Sequence, residues 1–469
     1  MKNTIKRTLF GLFCVVMAYV FVSCSNGEPP FIPVVNYTEE GMSSSVNEIP
    51  AGAYNIYHLR QKTTGGTNPY DYEQYSSNYK FFSKASKLSD VAMSYPGFSV
   101  QTMTLNEDAV YVYYNRNTIT YTFNLGDKGS FADGTKIRTV SGLYGSGVLK
   151  PARADIDSSD PTKYRFSKWR MKDGASVPSV FGADNIADIV AVWVDPSTIT
   201  VPEGFVEIPD ASITGSETWT PYSNIFVSGR KLYIEAFWMS DHQVTREEYK
   251  KIMGSDPSRA DAYDKDGSKL TGPAAGNNPV DSVSWYDAIV YCNKRSIGEG
   301  LTPCYTIKGS TDPESWGTVP DSFDSEWDAA VCDFEADGFR LPTEAEWEWA
   351  ARGGESYEYA GSDTIGDVAW YTGNTSYTGS REVKTKKENG YGLYDMSGNV
   401  KEWCWDRYGS VDSSTPGSGV PSGYSRCLRG GFWYSYAYRC TVAYRDSNSP
   451  NNWFDGSGIN GFRLVRSAQ

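Results

Sequence analysis

Cysteine is the residue type in this sequence with the widest range of possible chemistry. The chain has 469 residues and eight cysteines, of which Cys14 and Cys24 lie near the start. Thiolates bind soft metals, attack substrates or pair as disulfides. The other six form no Cys-x-x-Cys pair, so a structural zinc site is not predicted, and they allow fifteen disulfide pairings. They are Cys292, Cys304, Cys332, Cys404, Cys427 and Cys440.

Histidine restricts the catalytic possibilities further. The chain has two histidines, His58 and His242, which lie far apart in the sequence. A non-haem iron or catalytic zinc site needs several imidazoles on one metal, so such a site is excluded within one chain. A Ser-His-Asp or Cys-His arrangement could use only His242. The polar sequence around His242 predicts a surface residue.

Three capping boxes predict the helices of the C-terminal half. Each box pairs a hydroxyl with a carboxylate three residues later, which satisfies free amides of a first helical turn. The second predicted helix has apolar residues at i, i+3, i+4 and i+7 from Trp285 to Cys292, so Cys292 is predicted to be core. The boxes are Thr245 with Glu248, Ser284 with Asp287, and Thr343 with Glu346, the last helix ending at Gly353.

The first 23 residues are predicted to be a signal peptide. Basic residues such as Lys2 precede an apolar run that is too short to span a bilayer. Ser23-Cys24 resembles the lipobox of bacterial lipoproteins, in which Cys24 would become the lipid-modified first residue; the alternative is an ordinary cleaved signal. Both predict export to the cell envelope or surface, and the first predicts a membrane partner through the lipid anchor. Residues 24–50 are predicted to be the anchor and a linker.

Residues 51–117 are predicted to form a small β module. Strand patterns run from Tyr54 to Leu59 and from Val110 to Tyr114, separated by Gly, Asn and Ser residues. The end of this region resembles the mucin-binding-type β modules of bacterial surfaces.

Residues 118–195 have the pattern of a second β module. Ile119, Tyr121 and Phe123 alternate with threonines, which predicts a strand with one buried face. A turn at Tyr144-Gly-Ser, a proline, a YxFxxW segment and a final tryptophan follow. In this order they resemble the internalin-type B repeat, a β-grasp-like module that usually acts as a stalk. GLYGSG is predicted to be a turn, because it is not G-x-G-x-x-G and no helix pattern follows it.

Charge argues against a nucleic-acid partner. The formal net charge is −13, from 44 Lys and Arg against 57 Asp and Glu residues. Phosphate backbones repel such a chain, and no stripe of Lys and Arg offsets the repulsion. We therefore expect no nucleic-acid binding.

Eight motifs follow one another within residues 201–469. They are FVEIP from Phe205, VTREEY from Val244, PVDSVSW from Pro279, GFRLPTEAEW from Gly338, AARGG from Ala350, GLYDMSGNV from Gly392, RGG from Arg429 and GFR from Gly461. In this order they resemble the formylglycine-generating enzyme, or sulfatase-modifying factor, family. The resemblance implies an irregular mixed α/β domain related to the C-type lectin fold. With the two small β modules, one of them β-grasp-like, that precede this domain, the chain is expected to be multidomain. Active members of the family oxidise a substrate cysteine to formylglycine.

The resemblance implies two copper(I)-binding cysteines, five positions apart after a Gly-Gly pair. Counting forward from that pair places Ser435 and Cys440 there. Counting back from Arg445 instead places Phe432 and Ala437 there. A hydroxyl is a hard ligand that stays protonated, so it cannot replace a thiolate toward copper(I). Copper is therefore not expected, and Cys440 is either a residual catalytic thiol or a buried or disulfide-bonded cysteine.

The segment from Asp395 to Glu402 matches the calcium loop of the family. By resemblance, the Asp395 side chain, the carbonyls of Gly398 and Val400, and the Glu402 carboxylate would bind the ion. Calcium prefers oxygen ligands of this kind. The alternative is that Asp395 and Glu402 only cap or ion-pair a buried turn.

An aromatic segment lies where the family has its substrate groove. Its predicted binding residues are Trp433, Tyr434, Ser435 and Tyr436. Aromatic faces can stack on sugars or hold peptide side chains, whereas alternating aromatics on short strands are typical of a core. Two functions follow: a domain that binds peptide, protein or glycan and has lost the oxidase chemistry, or an active formylglycine-generating oxidase for sulfatase-type substrates.

Overall fold

A computed structural model describes residues 46–62, 72–106, 109–182, 184–216, 218, 221–452 and 459–468. The predicted signal peptide and the predicted lipid-bearing Cys24 lie outside the described residues. Among the helices in these ranges, none has both the length and the apolar character needed to cross a membrane.

The first sheet lies within the predicted first β module. Its strands follow the order β2-β1-β4-β3, with β1 and β4 parallel. Ile56, Val110 and Val112 share the buried face, as expected of a sheet with one solvent face. Both strands predicted here are confirmed. The strands are β1 (Gly52–Gln61), β2 (Tyr72–Phe82), β3 (Phe98–Asn106) and β4 (Ala109–Arg116).

The second sheet lies within residues 118–195. Its order is β7-β8-β5-β6, with β8 and β5 parallel. Ile119, Tyr121 and Phe123 are buried, so the predicted alternating strand is confirmed. Residues Tyr144 and Gly145 form the predicted turn. The strands are β5 (Thr118–Asn124), β6 (Ile137–Leu143), β7 (Arg165–Met171) and β8 (Ile186–Val194).

Three helices of eight or more residues form in the described part of the C-terminal region. They are α1 (Arg246–Met253), α2 (Trp285–Gly298) and α3 (Glu344–Arg352). Each begins at a complete capping box, so all three predicted helix starts are confirmed. Gly353 ends α3 in the left-handed conformation, with a φ of 61°. Cys292 is fully buried on α2, as predicted.

Two small sheets join distant parts of the C-terminal region. In one, β12 lies between β9 and β17, which brings both ends of the region together. In the other, the order is β15-β14-β13-β16. The strands are β9 (Phe205–Ile208), β10 (Ala211–Thr214), β11 (Lys231–Ile234), β12 (Phe237–Ser240), β13 (Lys401–Arg407), β14 (Arg426–Arg429), β15 (Asp446–Asn448), β16 (Asn460–Gly461) and β17 (Val465–Ser467).

Shorter elements and long loops make up most of the rest, so the chain is multidomain and mostly β with few helices. One core surrounds α2 and another surrounds α3. The shorter elements include strands Glu48–Ile49, Ser86–Lys87, Gly129–Phe131, Ile156–Ser158, Ala369–Trp370 and Ser397–Gly398, and helices Leu88–Val91, Ser325–Asp328, Ile365–Val368 and Thr372–Thr375.

Candidate functional site

The loop from Asp395 to Glu402 bends so that several main-chain oxygens face one point. Asp395, Gly398 and Asn399 have φ values of 57°, 83° and 63°. Residues in this left-handed conformation reverse the chain direction locally. The conformation is uncommon for residues other than glycine, such as Asp395 and Asn399. A Cβ at Gly398 would lie 2.3 Å from the Trp370 carbonyl oxygen, so glycine is required there.

The side-chain nitrogen of Gln243 lies at the point where these oxygens meet. Its Nε2 is 3.1 Å from the Asp395 carbonyl oxygen, 3.4 Å from that of Gly398 and 2.9 Å from that of Val400. It also donates to Glu402 Oε1 at 2.9 Å. Gln243 is fully buried between the end of β12 and the start of α1. This glutamine directly precedes the VTREEY motif and belongs to no site predicted from the sequence.

The carboxylate of Glu402 has other donors as well. Arg463 donates to it through Nε at 2.6 Å and through Nη2 at 2.8 Å. The indole N–H of Trp347 donates to Glu402 Oε2 at 2.7 Å. All three side chains are fully buried. Glu402 is therefore a paired carboxylate with each oxygen engaged.

One oxygen of the Asp395 side chain, Oδ1, is buried without a hydrogen-bond partner among the described residues. Its Oδ2 accepts the backbone N–H of Lys384 at 2.8 Å, and it is the Asp395 carbonyl that faces Gln243. Burial raises the pKa of Asp395 to about 6. The residues predicted for calcium thus come together around a nitrogen donor, and calcium binding itself stays a prediction.

Cys440, the predicted catalytic thiol, is fully buried against Tyr359 and Val368. Burial raises the pKa of Cys440 to about 12, so the thiol is protonated at neutral pH. Ser435 is also buried, and its hydroxyl accepts the backbone N–H of Phe432 at 3.1 Å. Copper(I) requires soft thiolates. A protonated thiol and an occupied hydroxyl do not fit that ion.

The cysteines of the C-terminal region are all free thiols. Burial raises the pKa of Cys292, Cys404 and Cys427 well above the ordinary value. The Cys427 thiol donates to Glu344 Oε2 at 3.1 Å. Across the part of the chain that the structure describes, no three His, Cys, Asp or Glu side chains are grouped to hold a metal.

Four exposed tyrosines form a surface that we call the tyrosine ridge. Tyr434, Tyr436 and Tyr438 are 48%, 61% and 55% exposed. Tyr377 approaches from another loop, its ring centroid 4.8 Å from that of Tyr434. The rings of Tyr436 and Tyr438 are nearly parallel, with centroids 6.5 Å apart. The ridge therefore presents aromatic faces and hydroxyls to solvent.

Buried residues between the tyrosines hold the backbone under the ridge. Trp433 and Ser435 are 7% and 2% exposed. The Trp433 N–H donates to the Asn399 carbonyl at 2.8 Å, and its own carbonyl accepts the Thr375 hydroxyl at 2.7 Å. Of the four predicted binding residues, Trp433 and Ser435 face the core and the two tyrosines face solvent. The segment is therefore both core and surface.

A charged cluster that the sequence did not indicate lies beside Gln243. His242 Nδ1 is 2.5 Å from an Asp241 oxygen and its Nε2 is 3.4 Å from a Glu248 oxygen. Lys384 Nζ binds the other Asp241 oxygen at 2.6 Å. Burial opposes protonation, but the two carboxylates raise the pKa of His242 to about 9. The predicted surface histidine is an imidazolium within an ion-pair cluster, with its side chain 18% exposed.

The eight ordered motifs, three capped helices and an irregular loop-rich C-terminal region define a formylglycine-generating-enzyme-like domain. The family model described as the sulfatase-modifying factor enzyme 1-like domain matches residues 191–468. The chain belongs to this family.

Named relatives match part of the chain. Chaperone protein LppX of Paenibacillus barcinonensis is 34% identical over 263 residues, which are 51% of this chain and 83% of that protein. The formylglycine-generating enzyme of Streptomyces coelicolor is 36% identical over 167 residues, which are 30% of this chain and 51% of the enzyme. The chain thus spans about half the length of that enzyme. The solved structure of Treponema denticola variable protein 1 matches 56% of this chain and 94% of its own, with 36% identity and a TM-score of 0.48.

Proposed function

We propose that this chain is an exported, lipid-anchored envelope protein whose C-terminal domain binds a peptide, protein or glycan through the tyrosine ridge. The observation that carries the proposal is the exposure of Tyr434, Tyr436 and Tyr438 on a backbone held by buried neighbours. In the same proposal, the domain no longer oxidises cysteine.

The tyrosine ridge suits recognition for physical reasons. A tyrosine ring offers a large apolar face and a hydroxyl while losing little side-chain entropy on binding. The ring contact between Tyr377 and Tyr434 already restricts both side chains. Less ordering is then required when a ligand binds, which favours affinity.

The surroundings of Cys440 support the loss of oxidase chemistry. The alternative function, formylglycine generation, would need a thiolate that copper(I) and a substrate cysteine can reach. Here the thiol is buried and its pKa is raised to about 12. At neutral pH the thiolate fraction is then on the order of one in 100,000, from the difference between pH 7 and that pKa.

The printed name of one relative favours a polypeptide as the ligand. Paenibacillus barcinonensis LppX is named a chaperone protein, and this chain covers 83% of its length. The word chaperone denotes a protein that acts on other polypeptides. Carried over as part of the proposal, this makes a peptide or protein ligand the first class to test and a glycan the second.

We assign the two β modules the role of a spacer between the lipid anchor and the tyrosine ridge. In this proposal the second module is β-grasp-like, and the C-terminal domain is related to the C-type lectin fold. Ion pairs join the second module to the C-terminal region. Arg153 lies 2.7 Å from Glu207, and Lys150 lies 2.6 Å from Glu235. Several such contacts at one surface support a spacer of fixed geometry.

The binding proposal is tested with the purified full chain on a displayed random-peptide library and a glycan array. The triple variant Tyr434→Ala, Tyr436→Ala, Tyr438→Ala is expected to lose at least about tenfold in affinity for any ligand found. Tyr79→Ala is the matched control, because Tyr79 is 68% exposed but lies on β2 of the first module. The proposal that the tyrosine ridge binds the ligand would be contradicted if the triple variant bound as tightly as the unaltered chain, or if neither library gave a ligand.

The oxidase alternative has its own test. The chain is incubated with copper(I), oxygen and cysteine-containing sulfatase-type peptides, and the peptides are analysed by mass spectrometry. We expect the peptide cysteine to be recovered unchanged. Its conversion to the aldehyde would overturn the proposed loss of oxidase activity.

A further inference from the structure

The oxygens of the loop from Asp395 to Glu402 are not used by the function proposed above. We propose that the side-chain amide of Gln243 takes the place of a calcium ion in this loop, so that the domain keeps its loop conformation without metal. The amide approaches the carbonyls of Asp395, Gly398 and Val400 and the Glu402 carboxylate at once.

The distances are those of hydrogen bonds and not of metal coordination. Calcium takes six to eight oxygen ligands at about 2.3–2.6 Å. Three of the oxygens lie 2.9–3.1 Å from Gln243 Nε2, which is the usual range for an N–H donor and an oxygen acceptor. The Gly398 carbonyl oxygen lies at 3.4 Å, a longer and weaker contact. The amide would have to leave before an ion could reach these four oxygens.

The charges around the loop also favour a neutral donor. Glu402 is the carboxylate that faces Gln243, and Arg463 already pairs with both of its oxygens. Adding a divalent cation would leave a net positive charge in a fully buried site, even with Asp395 ionised. Isolated buried charge is costly. The two N–H groups of a glutamine amide are shared among the four acceptors without adding charge.

The four oxygens also determine which way the amide points. With Nε2 facing them, the Gln243 oxygen Oε1 is buried and has no hydrogen-bond partner among the described residues. Turning the amide over would place Oε1 against four other oxygens, none of which can donate a proton when Glu402 is ionised. The unpaired Oε1 is therefore the smaller cost, and the loop selects the donor end of the side chain.

The same loop supports the backbone beneath the tyrosine ridge. The Asn399 carbonyl accepts the N–H of Trp433 at 2.8 Å. A loop held by Gln243 would keep this contact when calcium is absent. The proposal therefore predicts a domain whose stability does not depend on calcium, whether or not the ridge binds a ligand.

The test compares thermal unfolding of the full chain and of Gln243→Glu, each in EDTA and in 1 mM CaCl2. We expect the Tm of the unaltered chain to differ by less than about 1 °C between the two conditions. Gln243→Glu places a carboxylate among the oxygens, so its Tm is expected to fall in EDTA and to recover by at least about 4 °C with calcium. Gln101→Glu, an exposed position in the first module, is the matched control and should show no calcium response.

Metal analysis of the unaltered chain shows whether it binds calcium, even if Gln243→Glu fails to fold. After dialysis against calcium and gel filtration, elemental analysis should find well under one calcium per chain. One bound calcium per chain, or a Tm of the unaltered chain that rises with calcium as much as that of Gln243→Glu, would overturn the proposal.

Discussion

Arg463 and Glu402 form a fully buried ion pair between residues 61 positions apart in the chain. Arg463 also donates to the carbonyls of Ser240, at 3.0 Å, and Tyr394, at 2.8 Å. One guanidinium therefore joins the end of β12, the loop before Asp395 and the start of β13. This arrangement fixes both sides of the loop that Gln243 enters.

Removing the positive partner of this pair should be costly. Arg463→Met is expected to lower the free energy of unfolding by about 3–5 kcal/mol, because Glu402 would remain buried without a countercharge. Urea unfolding followed by tryptophan fluorescence measures the change. Lys265→Met is the control, since Lys265 pairs with Asp266 in solvent and its removal should leave the unfolding free energy unchanged. A loss as small as that of the control would contradict the buried role of Arg463.

The cysteines of the native chain should be almost unreactive. The thiolate is the reacting form. Burial raises the pKa of Cys440 to about 12 and raises that of Cys427 well above its ordinary value. We expect a thiol reagent at pH 8 to label neither within minutes, and to label both after denaturation. Ser268→Cys, at an exposed position, supplies a reactive control. Rapid native labelling of Cys440, located by mass spectrometry, would contradict this and would favour the oxidase alternative.

Local signals explain how much of the fold could be predicted. A hydroxyl and a carboxylate three residues apart act within one turn, so Thr245, Ser284 and Thr343 correctly indicated the starts of three helices. The period of two at Tyr121 and Phe123 likewise depends on neighbours within one strand. Pairing of β12 with β17 joins residues more than 200 positions apart, and no local pattern reports it.

The candidate site was predictable only in part for the same reason. Family motifs indicated Asp395 and Glu402, but the group that meets their loop comes from Gln243, more than 150 residues earlier. Hydrogen bonds between residues so far apart in the chain produce no recognisable spacing in the sequence. The aromatic segment was visible as composition, while its division into buried Trp433 and exposed Tyr434 depends on contacts with other loops.

The cluster around His242 should make stability depend on pH. Asp241 and Glu248 face the imidazole, while Lys384 pairs with Asp241, and Arg295 lies 3.9 Å from Glu248. The pKa of His242 is raised from 6.5 to about 9 in the folded chain. Its stabilising contribution is therefore complete below pH 6.5 and is lost as the pH rises through 9.

The measurement compares the unaltered chain with His242→Gln at pH 6.0 and pH 9.5. We expect the unaltered chain to lose about 3 kcal/mol more unfolding free energy over this interval than the variant does. The pKa of Glu248 is lowered to about 2, so its own contribution is present above pH 4.5 and disappears only as the pH falls through 2. Glu248 therefore does not titrate between the two test conditions. Equal pH dependence in both chains would mean that His242 is not held as an imidazolium.

Gly431 lies against Cys440 at the start of the ridge segment. We expect that alanine is not tolerated at position 431. Its φ is 73°, and a Cβ would lie 2.7 Å from the Arg439 carbonyl oxygen and 2.8 Å from the Cys440 sulfur. Gly431→Ala is expected to cost about 2–3 kcal/mol of unfolding free energy through backbone strain and displacement of that sulfur. Gly417→Ala is the matched control, because a Cβ there meets no atom within 4 Å.

A second readout separates displacement of Cys440 from general destabilisation. If the added methyl group pushes the sulfur out of its pocket, Cys440 should become reactive to thiol reagents in conditions where Gly431→Ala is still folded. Arg463→Met removes a different contact and destabilises the domain by a similar or larger amount, so it should leave the native reactivity of Cys440 low. Equal labelling of Cys440 in the two variants would show that opening of the whole domain, and not contact with Gly431, controls access to the thiol.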